Sequence, residues 1–233
     1  MLGDPYVFLV AVLFLVPAAL VAIPVHEVAH AAAAVLQGDP SVRNRGYLRP
    51  DPRLFIEPYG LVAVFLVNVG WGRPAPVNEY RLKGVGGQLA YALAGPLANL
   101  ALAAIVGVAM RLFDPVGVGS LLRPESLPAV LHDIVFAIFF LNLSFFAFNL
   151  LPLPGLDGWR VLEALFRRHN PRFFFDAHMR RMQIWQIAAI VVILSSFLGR
   201  NLLGAVLMPL YAPAASLILG TCVGYPGLHP CPL

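Results

Sequence analysis

The chain has 233 residues, of which 59% are hydrophobic and only 12% charged, and its mean hydropathy is +0.78. A soluble domain carries roughly 25% charged residues, so this composition excludes an ordinary water-soluble globule and indicates a protein that crosses a bilayer several times. The net charge of +4 does not signal nucleic acid, because no basic helix or basic-aromatic stripe accompanies it.

The acidic start, Met1 to Asp4, and the length of the apolar run behind it do not fit a signal peptide, so the first segment is expected to be retained. That run, about residues 6–37, exceeds the ~20 residues a bilayer requires, which predicts tilt, a break, or projection beyond the membrane. Pro17 and Pro24 are the expected bends. Inside the run stands His26-Glu27-Val28-Ala29-His30. On a helix, His26 and His30 leave one face a turn apart and can share a zinc ion, with Glu27 beside them as candidate general base. An ionisable group at membrane depth costs on the order of 3 kcal/mol, so three together need compensation, which a metal supplies. The alternative is two histidines satisfied within a buried helix and Glu27 paired to an arginine. Gly38-Asp39-Pro40 ends the segment, and Arg43, Arg45, Arg49 and Arg53 then place the connection in the cytoplasm.

A second apolar run, about residues 54–72, is flanked by basic residues on both sides, Arg73, Arg81 and Lys83 following it. If both flanks are cytoplasmic, the run is re-entrant or lies in the membrane as a bent or extended loop. Pro58, Gly60, Gly70 and Gly72 favour that over a clean helix, while an ordinary crossing remains the alternative. The third segment, about 86–110, contains Gly95-Pro96-Leu97-Ala98-Asn99, a predicted break in the helix or a site of tight helix packing. A short outer loop follows at 111–127.

The fourth segment, about 129–151, delivers Asn149 through Gly158, where two prolines and two glycines halt the helix and aim Asp157 from a constrained turn. Asp157 is the best third zinc ligand, although it could instead only cap the next helix. Residues 159–181 read as a basic amphipathic surface segment to which no chemistry is assigned. Two closing apolar runs, about 182–198 and 201–221, form a hairpin. Cys222 and Cys231 in the tail fit neither a disulfide framework nor a zinc-finger spacing. Neither an internal repeat nor a gap long enough for a separate soluble domain is present.

Three features, His26-Glu27-Val28-Ala29-His30, Gly95-Pro96-Leu97-Ala98-Asn99 and Asn149 through Gly158, together resemble the site-2 protease family of intramembrane zinc metalloproteases. The stretch Gly70-Trp71-Gly72-Arg73-Pro74-Ala75-Pro76-Val77-Asn78 is similar to that of a short branch lacking PDZ and CBS domains. The resemblance covers roughly residues 20–165. It departs from the family signature at Gly155, where a longer spacer or proline is usual, and at Phe55-Ile56-Glu57-Pro58, where the branch often has His-x-Asp-Pro.

The resemblance implies one zinc per chain held by His26, His30 and Asp157, with Glu27 as catalytic acid/base and Asn149 as a supporting active-site residue. The implied substrate is a transmembrane helix of another protein, cut in or near the bilayer in regulated intramembrane proteolysis. The rival from another class is a non-catalytic zinc-binding scaffold or a metal transporter; an intact Glu27 argues against the first, and the scarcity of ionisable groups along the later segments against the second. The expected architecture is an all-α multi-pass bundle with about five crossings plus one re-entrant or membrane-embedded segment. It forms one metalloprotease domain over 1–233, with a catalytic core at about 6–165 and a hairpin at about 182–221. The expected location is the cytoplasmic membrane of a prokaryote, the site nearer the cytoplasmic face; no pattern sets an oligomeric state.

Overall fold

A computed structural model of the chain describes residues 5–67, 71–113, 126–222 and 229–230. Ten helices follow in order among them: α1 (Pro5–Gln37), α2 (Ser41–Asn44), α3 (Pro52–Phe55), α4 (Pro58–Val67), α5 (Gly84–Phe113), α6 (Leu127–Asn149), α7 (Asp157–Phe166), α8 (Pro171–Met179), α9 (Arg181–Phe197) and α10 (Leu202–Leu219). A two-residue antiparallel pair, Thr221–Cys222 with His229–Pro230, closes the described chain. Most of the outer loop expected at 111–127, together with Gly70 and Cys231, lies outside the described residues.

Four helices, α1, α5, α6 and α10, are long and apolar enough to cross a membrane, as expected of an all-α multi-pass membrane protein. The 17-residue α9 is the short member of the closing hairpin, about 25 Å long against a hydrocarbon core of about 30 Å. Helices α1, α5 and α6 pack against one another and form the heart of the bundle. In lipid, burying one apolar surface against another yields little from water expulsion, so close approach has to supply the attraction. The sequence provides it with small residues: Ala18, Ala19, Ala22, Ala31 and Ala34 of α1 and Ala92 and Ala103 of α5 are fully buried. Larger side chains, Ile23, Phe139 and Leu141 among them, fill the spaces between.

Helices α1 and α5 run unbroken through their inner prolines. Helix α1 runs its 33 residues through Pro17 and Pro24, and α5 its 30 residues through Pro96. The predicted break at Gly95-Pro96 is therefore corrected to a continuous helix, and Gly95 serves packing, as described below.

In the second apolar run the described residues are mostly helical, α3 and α4, with an isolated extended bridge between Ile56 and Gly72. Away from a partner strand, a helix is the arrangement that satisfies its own backbone groups in an apolar setting. The 10 residues of α4 span about 15 Å, half a bilayer core. After α4 the chain returns, and the Asn78 N–H donates to Asp39 Oδ2 at 2.7 Å. Asp39 and Asn78, on either side of this excursion, thus meet at one end of the bundle.

Candidate metal centre

Helix periodicity sets His26 and His30 on one face of α1, and both side chains are buried. Asp157 reaches them from the first residue of α7, behind a turn in which Gly155 adopts φ +103°, a conformation that side chains with a Cβ rarely tolerate. The three donor atoms form a nearly equilateral triangle. His26 Nε2 to His30 Nε2, His26 Nε2 to Asp157 Oδ2 and His30 Nε2 to Asp157 Oδ2 are each 3.1 Å. Ligands about 2.0 Å from a tetrahedral zinc would stand roughly 3.3 Å apart, so the set fits the ion with a small adjustment.

The hydrogen bonds behind the histidines decide the chemistry of that triangle. Asn99 Nδ2 donates to Ala22 O at 3.1 Å and to Asn142 Oδ1 at 2.7 Å, which leaves Asn99 Oδ1 to accept from His26 Nδ1 at 2.7 Å. Asn142 is held in turn, its Nδ2 donating to Ile138 O at 2.8 Å. His30 Nδ1 donates to the carbonyl of Tyr91 at 2.7 Å. Both Nδ1 atoms therefore carry the proton, and both Nε2 lone pairs face inward. The Arg160 guanidinium lies 3.5 Å from Asp157 Oδ1, a cation that favours the ionised carboxylate. Two imidazole lone pairs and a carboxylate oxygen converge on one point, a donor set suited to a metal cation. Support of each metal-facing histidine through its other nitrogen is the usual means of fixing such a ligand.

Gly95 on α5 makes room for the triangle. A Cβ there would lie 2.6 Å from His26 Cε1 and 2.7 Å from His26 Nε2, and closer still to His30 Nε2. Glu27 stands next to the histidines, its Oε2 accepting from the Ala75 N–H at 3.2 Å. Asn149 lies at the C-terminal end of α6, where its Nδ2 donates to Phe145 O at 3.0 Å; its hydrogen bonding is thus to its own helix.

Arg160 departs from the reading of 159–181 as a surface segment without chemistry. One turn into α7 it folds back, with Nη1 3.5 Å from Asp157 Oδ1 and 3.2 Å from the Tyr91 hydroxyl, and Nη2 3.6 Å from Glu79. Its guanidinium also lies 5.2 Å from the Tyr91 ring centroid. Burial works against its charge, while Tyr91, Asp157 and Glu79 raise its pKa above the ordinary value. Trp159 beside it is buried against Phe173 and Phe174 of α8, so the amphipathic stretch faces inward at its start. The motif Asp157-Gly158-Trp159-Arg160 carried a signal for this: an arginine three residues beyond a ligand shares its helical face.

A bundle with a buried His-Glu-x-x-His helix closed by an aspartate from a distant turn defines an intramembrane zinc metalloprotease, and comparison with known proteins agrees. The sequence profile of peptidase family M50 matches residues 108–194. The candidate zinc metalloprotease YwhC of Bacillus subtilis is 38% identical over 160 residues, 65% of this chain and 68% of that protein. Rip2 of Mycobacterium tuberculosis, under the same kind of name, is 38% identical over 160 residues, covering 66% of this chain and 57% of its own. MJ0611 of Methanocaldococcus jannaschii is 34% identical over 111 residues, 45% of this chain and 51% of that protein. No solved structure matches. The chain belongs to peptidase family M50, the site-2 proteases, and zinc is its cofactor.

Proposed function

We propose that the chain hydrolyses peptide bonds within or beside transmembrane segments of other membrane proteins, in regulated intramembrane proteolysis, from a site near the cytoplasmic face of a prokaryotic cytoplasmic membrane. In this reading His26, His30 and Asp157 hold one zinc ion, Glu27 is the general acid/base, and Asn149, just ahead of the Asp157 turn, supports the site. The whole chain acts as one domain, its core at about 6–165 and its hairpin at about 182–221. The observation that carries the reading is the convergence of two Nε2 lone pairs and an ionised carboxylate, with both tautomers set by Asn99 and by the Tyr91 carbonyl.

A zinc ion held by His26, His30 and Asp157 would supply Lewis-acid chemistry, lowering the pKa of a water towards ~7 and polarising a carbonyl. The protein's own groups do the rest. Glu27 takes the water proton and returns it to the leaving amine. His26, His30 and Asp157 are buried, which strengthens each charge interaction among them. A helical substrate hides its carbonyls in hydrogen bonds, so a segment that unwinds readily is preferred.

The test is Glu27→Gln, which keeps side-chain size and loses the proton acceptor. Zinc content and cleavage of a single-transmembrane-helix reporter with a central Asn-Pro-Gly break are measured on one preparation. Zinc stays near one per chain and cleavage is lost. A variant that still cuts near the wild-type rate refutes the acid/base role. Co-expressing the same variant as a trap identifies natural substrates, as membrane proteins that accumulate uncut.

A further inference from the structure

Residues 71–78 pass the metal centre as a strap, and their hydrogen bonds have an unusual distribution. The Arg73 N–H donates to Phe55 O at 2.6 Å, and the Arg73 side chain pairs with Glu57 at 2.9 Å. At the far end the Asn78 N–H donates to Asp39 Oδ2, a carboxylate that the Ser41 hydroxyl and N–H also hold. The strap is thus pinned at both ends. Between the pins the sequence is Pro74-Ala75-Pro76-Val77. Proline has no N–H, and the Val77 N–H turns back to Ala75 O at 2.8 Å. One outward donor remains in this span, the Ala75 N–H, and it points at Glu27 Oε2. Ala75 itself is buried, 6% exposed.

We propose that Ala75 is a positioning residue for the reaction: its main-chain N–H fixes one oxygen of Glu27, so that the other is presented to the attacking water. The inference rests on the reading of Glu27 as acid/base. The flanking prolines serve the same end. They restrict the backbone on either side of Ala75, since each proline fixes its own φ and the residue before a proline is confined to β or polyproline geometry. A donor on a strap pinned at both ends cannot follow the carboxylate as it swings, and it therefore sets the carboxylate plane. A backbone donor suits this position because it adds no side chain, charge or bulk beside the metal. Loss of the contact lets the half-buried glutamate rotate away, and misplacement of a catalytic group by about 1 Å can cost on the order of a hundredfold in rate.

The experiment has two arms. In the first, amide hydrogen exchange of the full chain in detergent is followed at residue resolution. The Ala75 amide is protected in the wild type and exchanges at least roughly tenfold faster in Glu27→Ala, whereas the Asn78 amide, held by Asp39, is unchanged. Equal Ala75 exchange in the two proteins overturns the contact. In the second, Ala75 is replaced by lactate, its α-hydroxy acid, which exchanges the N–H for an ester oxygen and adds no atoms. With the Asn-Pro-Gly reporter, kcat falls roughly 10- to 100-fold, KM stays within about twofold and zinc content is that of the wild type. Ala75→Gly, which keeps the N–H, retains kcat within about threefold. Wild-type kcat in the lactate protein overturns the proposal. So does a raised kcat, which marks the strap as a restraint, or a changed KM alone, which marks it as a substrate contact. If Glu27→Gln is inactive while the lactate protein is not, only the positioning role falls. If Glu27→Gln is active, the base assignment falls first.

Discussion

Replacing Gly95 with alanine puts a methyl group into the metal triangle. The new Cβ would stand 2.6 Å and 2.7 Å from two ring atoms of His26 and nearer to His30 Nε2, where ordinary contact begins at about 3.4 Å. Something must retreat by about 1 Å. The rings have little freedom to do so, because Asn99 and the Tyr91 carbonyl hold their far nitrogens at 2.7 Å. The displacement therefore falls on the donor atoms themselves. Misplacing ligands on this scale should weaken zinc binding at least as much as losing a supporting hydrogen bond, roughly 10- to 100-fold or about 1.4 to 2.7 kcal/mol. Helix propensity acts in the opposite direction, since Gly→Ala in a helix interior stabilises by up to about 1 kcal/mol. Gly86→Ala, on the same helix with nothing within 4 Å of the added Cβ, isolates that term and should bind zinc normally. Chelator competition against purified wild type, Gly95→Ala and Gly86→Ala reads the difference. Equal affinity in all three would refute the placement of Gly95 against the ligands.

Asn99→Ala should lower zinc affinity roughly 10- to 100-fold, because the His26 Nδ1–H then loses its acceptor in a buried site; an unchanged competition curve refutes the role of Asn99. Asp39 is pushed up by burial but held below its ordinary value by the Ser41 hydroxyl and the N–H groups of Asn78 and Ser41. Its folded-state pKa being depressed, its stabilisation is complete above the unfolded value of about 4 and is lost as pH falls through the lower folded value. The gap in thermal stability between wild type and Asp39→Asn should accordingly be level above about pH 5 and shrink below about pH 4, and a gap that ignores pH refutes the pairing. In a chain lacking Cys222 and Cys231, single cysteines at Ser41 and Asn78 should be labelled from the same, cytoplasmic, side; labelling from opposite sides refutes the re-entrant reading.

Local spacing made two of the three proposed ligands legible in the sequence. His26 and His30 are four apart on one helix, so a period of 3.6 places them together whatever the rest of the chain does. Asp157 was legible through its turn, because Pro154, Gly155 and Gly158 leave few backbone paths. The supports behind the ligands were not. Tyr91 contributes a carbonyl and Ala75 an N–H, groups that every residue type carries and that no side-chain pattern announces. Asn142 reads as one polar residue in an apolar helix until α5 brings Asn99 against it. Arg160 was hidden by its neighbours, five further arginines that make the stretch 159–181 look uniformly basic. Of the two readings of Gly95-Pro96, a break or tight packing, the packing one holds, because a proline in a helix costs one hydrogen bond but does not require the helix to end. The run 54–72 was expected as a bent or extended loop, and the isolated Ile56–Gly72 bridge is the part of it that is extended.

The separation of the ligands along the chain has a consequence for how the enzyme is made. His30 and Asp157 are 127 residues apart. A ribosome adding roughly 5–20 residues per second takes on the order of ten seconds to travel that distance. Throughout the interval the emerging chain has two imidazoles and a glutamate but no carboxylate from α7 to complete the set. With the proposed ligand set, hydrolytic competence arrives only when α7 has followed the three core helices into place. A centre built from one helix alone could arm itself beside the insertion machinery, among unfolded segments of other nascent proteins; this division of donors delays arming until α7 has been synthesised.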